Sequence, residues 1–500
     1  MVKKFPTVFD LGLREKRLHR AASPALSRPS SRKNVEMEKE IQLTQSLYSE
    51  RPFDWGHGIE QQLRFDAEVE RAASAAAASS QASEAGDSEA SPIPSSPGPI
   101  PNGGVEAWLQ VLGSWATLVA TWGLVNSFGV FQTYYETDLL AEETSSSISW
   151  IGSLQACLLL IVGVVAGPLY DAGYFRHLLI AGQFLLVFGM FMTSLGTTYW
   201  QILLAQGVCV GVGMGMVFLP STAILAQYFT TRRALAIGIA SSGSPLAGIV
   251  FPIVFSNLVG RVGFGWATRV ISFILLGICV IPVVFMKTRV PPSGQKRALV
   301  DMTALGDPAF VFFVAAGFFM FLCLYTAFFY IQLYDQLHGL SSLEFAPYTV
   351  TLLNVGSIFG RLIPNYLADK VGSLNMCLIC GAVSAVLLFG WFGITNLAGL
   401  IVFALLYGMF SGGIVSVTPS AVMTMSPDIS RVGTRLGMTF TATGSAILIG
   451  TPIAGAILGD FSEREWNGVI GYSAAGLTVG SLLYGASRVV LYRRNGKKLA

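Results

Sequence analysis

Residues Tyr228–Gly248 read YFTTRRALAIGIASSGSPLAG. An aromatic pair, two arginines and a glycine-spaced apolar run follow one another directly, with Gly238, Gly243 and Gly248 at five-residue intervals. Two adjacent arginines are expensive inside a bilayer, so Arg232 and Arg233 belong at its edge and the run after them enters it. The small residues then let a second helix approach closely. A related stretch, RVGTRLGMTFTATGSAILIGTP, occupies Arg431–Pro452. Arg431 stands to Gly437 as Arg232 stands to Gly238. The spacings Gly238 to Pro252 and Gly437 to Pro452 differ by one residue. The pattern predicts a chain of two related halves, each holding this element.

The rest of the chain fits a membrane setting. Of its 500 residues, 52% are hydrophobic and 12% charged, against about a quarter charged in soluble domains. Apolar runs of about twenty residues are long enough to cross a bilayer as helices, and a helix is the form in which a single segment pairs its own backbone groups away from water. The runs fall at 107–131, 148–170, 177–196, 200–222, 234–259 and 266–287, then at 308–332, 344–367, 373–393, 397–420, 433–458 and 467–490. The expected fold is an all-α polytopic membrane protein, with twelve transmembrane helices in two pseudo-symmetric six-helix bundles over 105–287 and 308–490.

A polar connection, 288–307, separates the halves. Residues 1–104 are rich in Ser, Ala, Glu and Pro and predict a disordered cytosolic tail, and 491–500 a short basic one. The start MVKKFPTVFDLGLREKR is basic but has no apolar core, so it is not a secretory signal. No N-x-S/T sequon occurs. All six cysteines lie in apolar spans; Cys377 and Cys380 form a C-x-x-C without a second pair, which reads as packing rather than metal or redox chemistry.

Charge predicts orientation. One set of connections carries Arg176, Arg232, Arg233, Lys287, Arg289, Lys296, Arg297, Lys370, Arg431 and Arg435, with Arg493, Arg494, Lys497 and Lys498 in the C-terminal tail. The other set carries mainly acids, among them Glu136, Asp138, Glu142, Glu143, Asp335, Asp460, Glu463 and Glu465. The basic side, with both termini and the central connection, is expected in the cytoplasm. Further landmarks repeat between the halves. Gly213 precedes Pro220-Ser221 as Gly412 precedes Pro419-Ser420, and Gln132 and Tyr134 match Gln332 and Tyr334. Duplicated halves around a midplane site are a transporter architecture. The glycine runs at 211–215 and 411–413 read as close helix packing, with a hinge at the following proline as the alternative.

Within the spans no Asp or Glu is forced into the hydrocarbon core, which argues against proton handling by the protein itself. Arg361 is the sharpest candidate for a solute anchor. It lies about six residues, roughly 9 Å, from the end of its span. A guanidinium in a dry site needs an anion, and its planar fork suits a carboxylate. The solute supplying that anion stands against snorkelling of Arg361 or its pairing with Asp369. Tyr325 and Tyr330, in an aromatic-rich seventh span, and Asn126 and Gln132, on the first, are candidates for the same cavity because their polar groups need partners.

Several motifs resemble the major facilitator superfamily, and within it the monocarboxylate porter family as found in fungi. GPLYDAGYFR at 167–176 and NYLADKVG at 365–372 are similar to the superfamily's loop motif, with Asn365 departing from its leading Gly. NGGVEAW at 102–108 is similar to the porters' opening motif, with Asn102 where an Asp is usual, and the stretch at 228–248 resembles their fifth-span signature. The resemblance spans about residues 100–490. It implies that Asp171 and Asp369 lock the two halves on the cytoplasmic side. Arg232, Arg233, Gly238, Gly243 and Arg431 are grouped with them as gating candidates. Where proton-coupled lactate porters carry a Lys and an Asp–Arg pair, this chain has Asn126, Ser357 and Arg361. Only the arginine matches, so lactate–proton symport by that route is not expected, although Ser357 remains a candidate for the solute site.

The expected function is secondary transport of a small, carboxylated organic solute by alternating access. The alternatives are efflux of a fungal secondary metabolite or, on the same scaffold, a non-transporting nutrient sensor. No histidine cluster, Ser/His/Asp set or phosphate loop supports an enzyme, and no ring of charges supports a channel. The expected partners are an anionic solute and the lipid bilayer, with no nucleic acid, cofactor or metal. The plasma membrane is the expected location, with an internal membrane as alternative.

Overall fold

The helix that begins beside the paired arginines continues from Leu235 to Phe285, 51 residues. At 1.5 Å per residue that is roughly 77 Å, more than twice the ~30 Å of a hydrocarbon core. Gly263 breaks it, with φ 77° and ψ 167°, a conformation that glycine adopts without steric penalty. The stretch is therefore two spans, α5 before Gly263 and α6 after it. A computed structural model describes residues 100–230, 232–289, 300–426, 429–459 and 461–495. Before α5 come α1 (Gly104–Leu139), α2 (Ser145–Asp171), α3 (Phe175–Thr193) and α4 (Tyr199–Tyr228). After α6 come α7 (Pro308–His338), α8 (Pro347–Val371), α9 (Ser373–Trp391), α10 (Leu397–Met425), α11 (Ile429–Leu458) and α12 (Glu463–Asn495).

These are the twelve expected spans. Ten stretches are long and apolar enough to cross a membrane, with α5 and α6 counted as one. α8 completes the set; its 25 residues include Asn354, Ser357, Arg361 and Asn365, which lower its apolarity. Residues 1–99 of the expected tail, 290–299 of the connection and 496–500 lie outside the described residues. α12 runs to Asn495, past the expected end at 490, so Arg493 and Arg494 occupy its last turn, where cations suit the helix dipole.

Local chemistry sets the helix ends. Asp307 caps α7 by accepting from the Ala309 N–H at 3.1 Å, Pro308 follows in the first turn, and Gly339 closes the helix at φ 60°. α1 is less regular. It is broken at Thr121 (φ −97°, ψ −88°) and ends in a π turn, Tyr135–Leu139. The hydroxyls of Thr117, Thr121, Ser127 and Thr133 bond carbonyls four residues back, a habit that bends helices.

Packing follows a twofold pattern. α2 packs on α4, α4 on α3 and α3 on α6; α8 packs on α10, α10 on α9 and α9 on α12. Between the bundles α2 meets α11 and α5 meets α8. Exchanging each helix with its counterpart six places on turns one pair into the other. The α8–α10 seam is very close. A Cβ at Gly356, Gly360 or Gly408 would fall about 2 Å from a carbonyl oxygen of the facing helix. The glycine run of α4 is used in the same way: at Gly213 and Gly215 a Cβ would lie 2.6 Å from backbone atoms of α3 and α2 respectively.

Candidate functional site

Arg361 sits at a junction of three helices. It lies about ten residues, roughly 15 Å, inside the end of α8 at Val371, deeper than the span cut from the sequence placed it, and is 4% exposed. Its Nη2 donates to Ser244 Oγ on α5 at 3.2 Å. The same oxygen accepts from Asn126 Nδ2 on α1 at 3.1 Å. Two turns before Arg361 on the same face of α8, Asn354 Nδ2 donates to the Val350 carbonyl at 2.9 Å and to the Asn126 carbonyl at 3.4 Å. Gly248 permits this meeting, since a Cβ there would lie 2.2 Å from Asn354 Oδ1. Two helices of the first bundle and one of the second thus share one polar node.

The guanidinium is under-partnered. Its Nε is buried with no hydrogen-bond partner, and among the described residues it makes no ion pair. It does not snorkel, because it is buried and turned to Ser244. The side chain of Asp369 lies outside what is described. Tyr325 stands within electrostatic reach of Arg361 and stacks on Trp122 at 6.2 Å between centroids and 16° between planes. Trp122 in turn meets Phe218 of α4 edge-on at 5.9 Å. An unsaturated cation beside an aromatic wall can bind a molecule that is both anionic and largely apolar.

The other candidates lie elsewhere. Ser357, placed with the solute site on sequence grounds, is instead turned to α10: a Cβ at Gly412 would fall 2.5 Å from its Oγ. Gln132 and Tyr330 belong to a separate cluster nearer the acidic end. Gln132 Nε2 donates to Glu136 Oε1 at 2.5 Å and to Ser149 Oγ on α2 at 3.2 Å. Ser149 is hydrogen-bonded to the Tyr330 hydroxyl on α7. The sequence reading put no Asp or Glu in the hydrocarbon core and left Glu136 in a connection, whereas α1 runs on to Leu139 and takes Glu136 into the helix. It sits in the π turn of α1, and its Oε2 is buried without a partner.

At the basic end Arg431 Nη1 donates to Thr303 Oγ1 at 2.7 Å and lies 3.6 Å from Asp301. Arg435, with a side chain 3% exposed, bonds Asp301 at 3.1 Å and stacks over Phe310 at 5.1 Å. The Thr303 hydroxyl and then Arg435 hold the Asp301 carboxyl below the usual carboxylate range, against the opposing effect of burial. Arg232 is exposed and immediately precedes the helix that starts at Arg233, whose side chain lies outside the described set. Asp171 is half-buried at the end of α2. Gly243 packs on α1, with a Cβ position 2.6 Å from the Trp115 carbonyl, whereas Gly238 has nothing within 4 Å. Close approach therefore operates at Gly243 and Gly248 and not at Gly238. No group of three or more His, Cys, Asp or Glu among the described residues is placed to hold a metal.

The sequence reading missed Ser244, Asn354, Trp122, Glu136, Asp301 and Arg435. Ser244 and Asn354 carried a usable signal. Ser244 lies inside the opening stretch, and Asn354 is spaced seven residues from Arg361, which puts both on one helical face.

The sequence model of the Major Facilitator Superfamily matches residues 107–450. The chain belongs to the Major Facilitator Superfamily. It is similar to the MFS-type transporter dbaD of Emericella nidulans, 45% identical over 368 residues, which is 74% of this chain and 83% of that protein. The aspyridones efflux protein apdF of the same organism is 38% identical over 403 residues, 80% and 81% of the two chains. The MFS transporter asaE of Aspergillus flavus is 37% identical over 383 residues, 74% and 86%. Among solved structures the nucleoside transporter NupG superposes with a TM-score of 0.61 at 13% identity, covering 76% of this chain and 99% of that one, a likeness of fold. The protein is a multi-pass membrane transporter of this superfamily, with the twelve-helix architecture expected from its sequence.

Proposed function

We propose that this transporter exports an anionic secondary metabolite, carboxylated and with a sizeable apolar body. The observation that carries the proposal is the buried guanidinium of Arg361, short of partners and held between the bundles by Ser244. A charge kept out of water is stable only when paired, and here the solute's carboxylate is the pair. The stacked Trp122 and Tyr325 beside it suit a ring system or acyl chain. The relative named for aspyridones efflux favours export over uptake of a small monocarboxylate.

In this reading the basic end faces the cytoplasm and the plasma membrane is the site of action. The bundles rock about the α2–α11 and α5–α8 contacts, and Asn126 and Ser244 hold the guanidinium until the solute arrives. The test is a comparison of metabolites in cells and medium with and without the gene. An acidic compound retained in cells lacking the gene, and released again on its return, supports the proposal. Retention of only neutral or cationic compounds contradicts it.

A further inference from the structure

The cluster around Glu136 ties the two bundles together at the acidic end. Gln132 and Glu136 belong to α1, Ser149 and Ser146 to α2. Facing them, the Tyr330 hydroxyl of α7 is bonded to Ser149 and donates to the Thr451 carbonyl of α11 at 3.5 Å. Ser146 Oγ donates to the Pro452 carbonyl of α11 at 2.9 Å. Gly455 of α11 presses on the same turn, with a Cβ position 2.7 Å from the Ser146 N–H nitrogen. For this end to open, the Ser149–Tyr330 and Ser146–Pro452 bonds must part.

The cluster holds a carboxylate that no described cation pairs. Both amide hydrogens of Gln132 are committed, one to Glu136 and one to Ser149. Glu136 Oε2, Gln132 Oε1 and the Ser145 hydroxyl are buried without a hydrogen-bond partner, and Ser145 stands beside the Glu136 carboxylate. Among the described residues Glu136 makes no ion pair. The titratable group that faces it from the other bundle is Tyr330; α2 brings Ser145 and Ser149, and α11 brings Thr451 and Pro452. On α1 itself, Tyr135 is committed to Gln206 at 2.6 Å, and Asp138 is exposed and bonded to Thr137.

We propose that Glu136 is a proton-binding site that latches the two bundles at the acidic end. One proton from the acidic-side solution, taken up by the carboxylate, removes a buried charge that no described cation pairs and adds a donor to a cluster in which Gln132 Oε1 has none. The closed latch holds the proton. Once the bundles part, water reaches the carboxylate and the proton leaves to it, so proton loss favours opening. This proposal does not depend on the solute assigned to Arg361.

The test is a distance measurement on the full chain in nanodiscs without solute. Spin labels at Thr137→Cys and Leu337→Cys, both exposed and on opposite bundles near the acidic end, report closure, with Cys209→Ser removing the partly accessible native thiol. As pH falls, the short-distance population should grow, and for one proton the ratio of closed to open changes by up to about tenfold per pH unit. Glu136→Gln should hold the short distance at every pH. Tyr330→Phe should lower the short-distance population while leaving a pH response. A wild-type distribution that does not change with pH, or a Glu136→Gln variant that still responds as the wild type does, overturns the proposal. A Tyr330→Phe variant with an unchanged closed population overturns the latch.

Discussion

Replacing Gly248 with alanine is a one-carbon perturbation at the contact on which the site depends. The added Cβ would stand 2.2 Å from Asn354 Oδ1, where ordinary contact begins at 3.4 Å. α5 and α8 must therefore separate by about an ångström, or Asn354 must turn and release the Val350 and Asn126 carbonyls it now bonds. Overpacking of this kind costs about 1–3 kcal/mol, enough to shift the equilibrium between the packed and parted arrangements roughly 5- to 150-fold at 1.4 kcal/mol per decade. Arg361 loses its hold on Ser244 as the helices part. Gly238 supplies an internal control on the same helical run. Its Cβ position meets nothing within 4 Å, so Gly238→Ala should be neutral or stabilising by about 0.5–1 kcal/mol through helix propensity. The assay is thermal unfolding of the purified variants in one detergent, followed by export from cells. A lower melting temperature and weaker export are expected for Gly248→Ala, and neither for Gly238→Ala. Equal behaviour of the two variants would refute the reasoning.

Three further outcomes follow from the geometry. Asp301→Asn should destabilise the protein by about 3 kcal/mol, the lower end for breaking a buried pair, because Asp307 remains 4.0 Å from Arg435; denaturant unfolding checks it. Because the Asp301 carboxyl is held below its unfolded value, its contribution is present at neutral pH and disappears as pH falls through the folded value, below the usual carboxylate range. The melting temperature of Asp301→Asn should therefore converge on that of the wild type in acid. Ser244→Ala and Asn126→Ala should be strongly non-additive for export, since both act through one oxygen next to Arg361; additive losses would mean that the node is not a unit. With a membrane-permeant maleimide, Cys209 should react first of the six thiols, because the other five are buried in the fold; mass spectrometry of labelled peptides decides it.

The fold was legible because lipid leaves few options. Runs of apolar residues of bilayer length admit little but helices, and the duplicated element at Tyr228 and Arg431 revealed the two halves. Arg361 was legible for a similar reason, as a charge that a span of that composition does not carry without use. Its partners were less so. Ser244 and Asn354 are ordinary polar residues until α5 and α8 are brought together, and that contact joins segments more than a hundred residues apart. Glu136 was read as a loop acid because the apolar run stops before it. The change from α to π winding at Tyr135–Leu139 carries the helix further and shifts the register that a 3.6-residue period gives. Ser357 shows the reverse error: a position matched by motif faces Gly412 rather than Arg361.

The central claim, that Arg361 holds an anionic solute, is tested most directly by binding to the purified chain. The acidic metabolite found by the export comparison and its methyl ester are titrated into wild type and Arg361→Gln. Removing one partner of a buried charge pair costs about 2–5 kcal/mol, so the wild type should prefer the acid over the ester by about 30-fold or more, and Arg361→Gln should bind the two alike. An Arg361→Gln protein that still prefers the acid by the wild-type margin would contradict the claim.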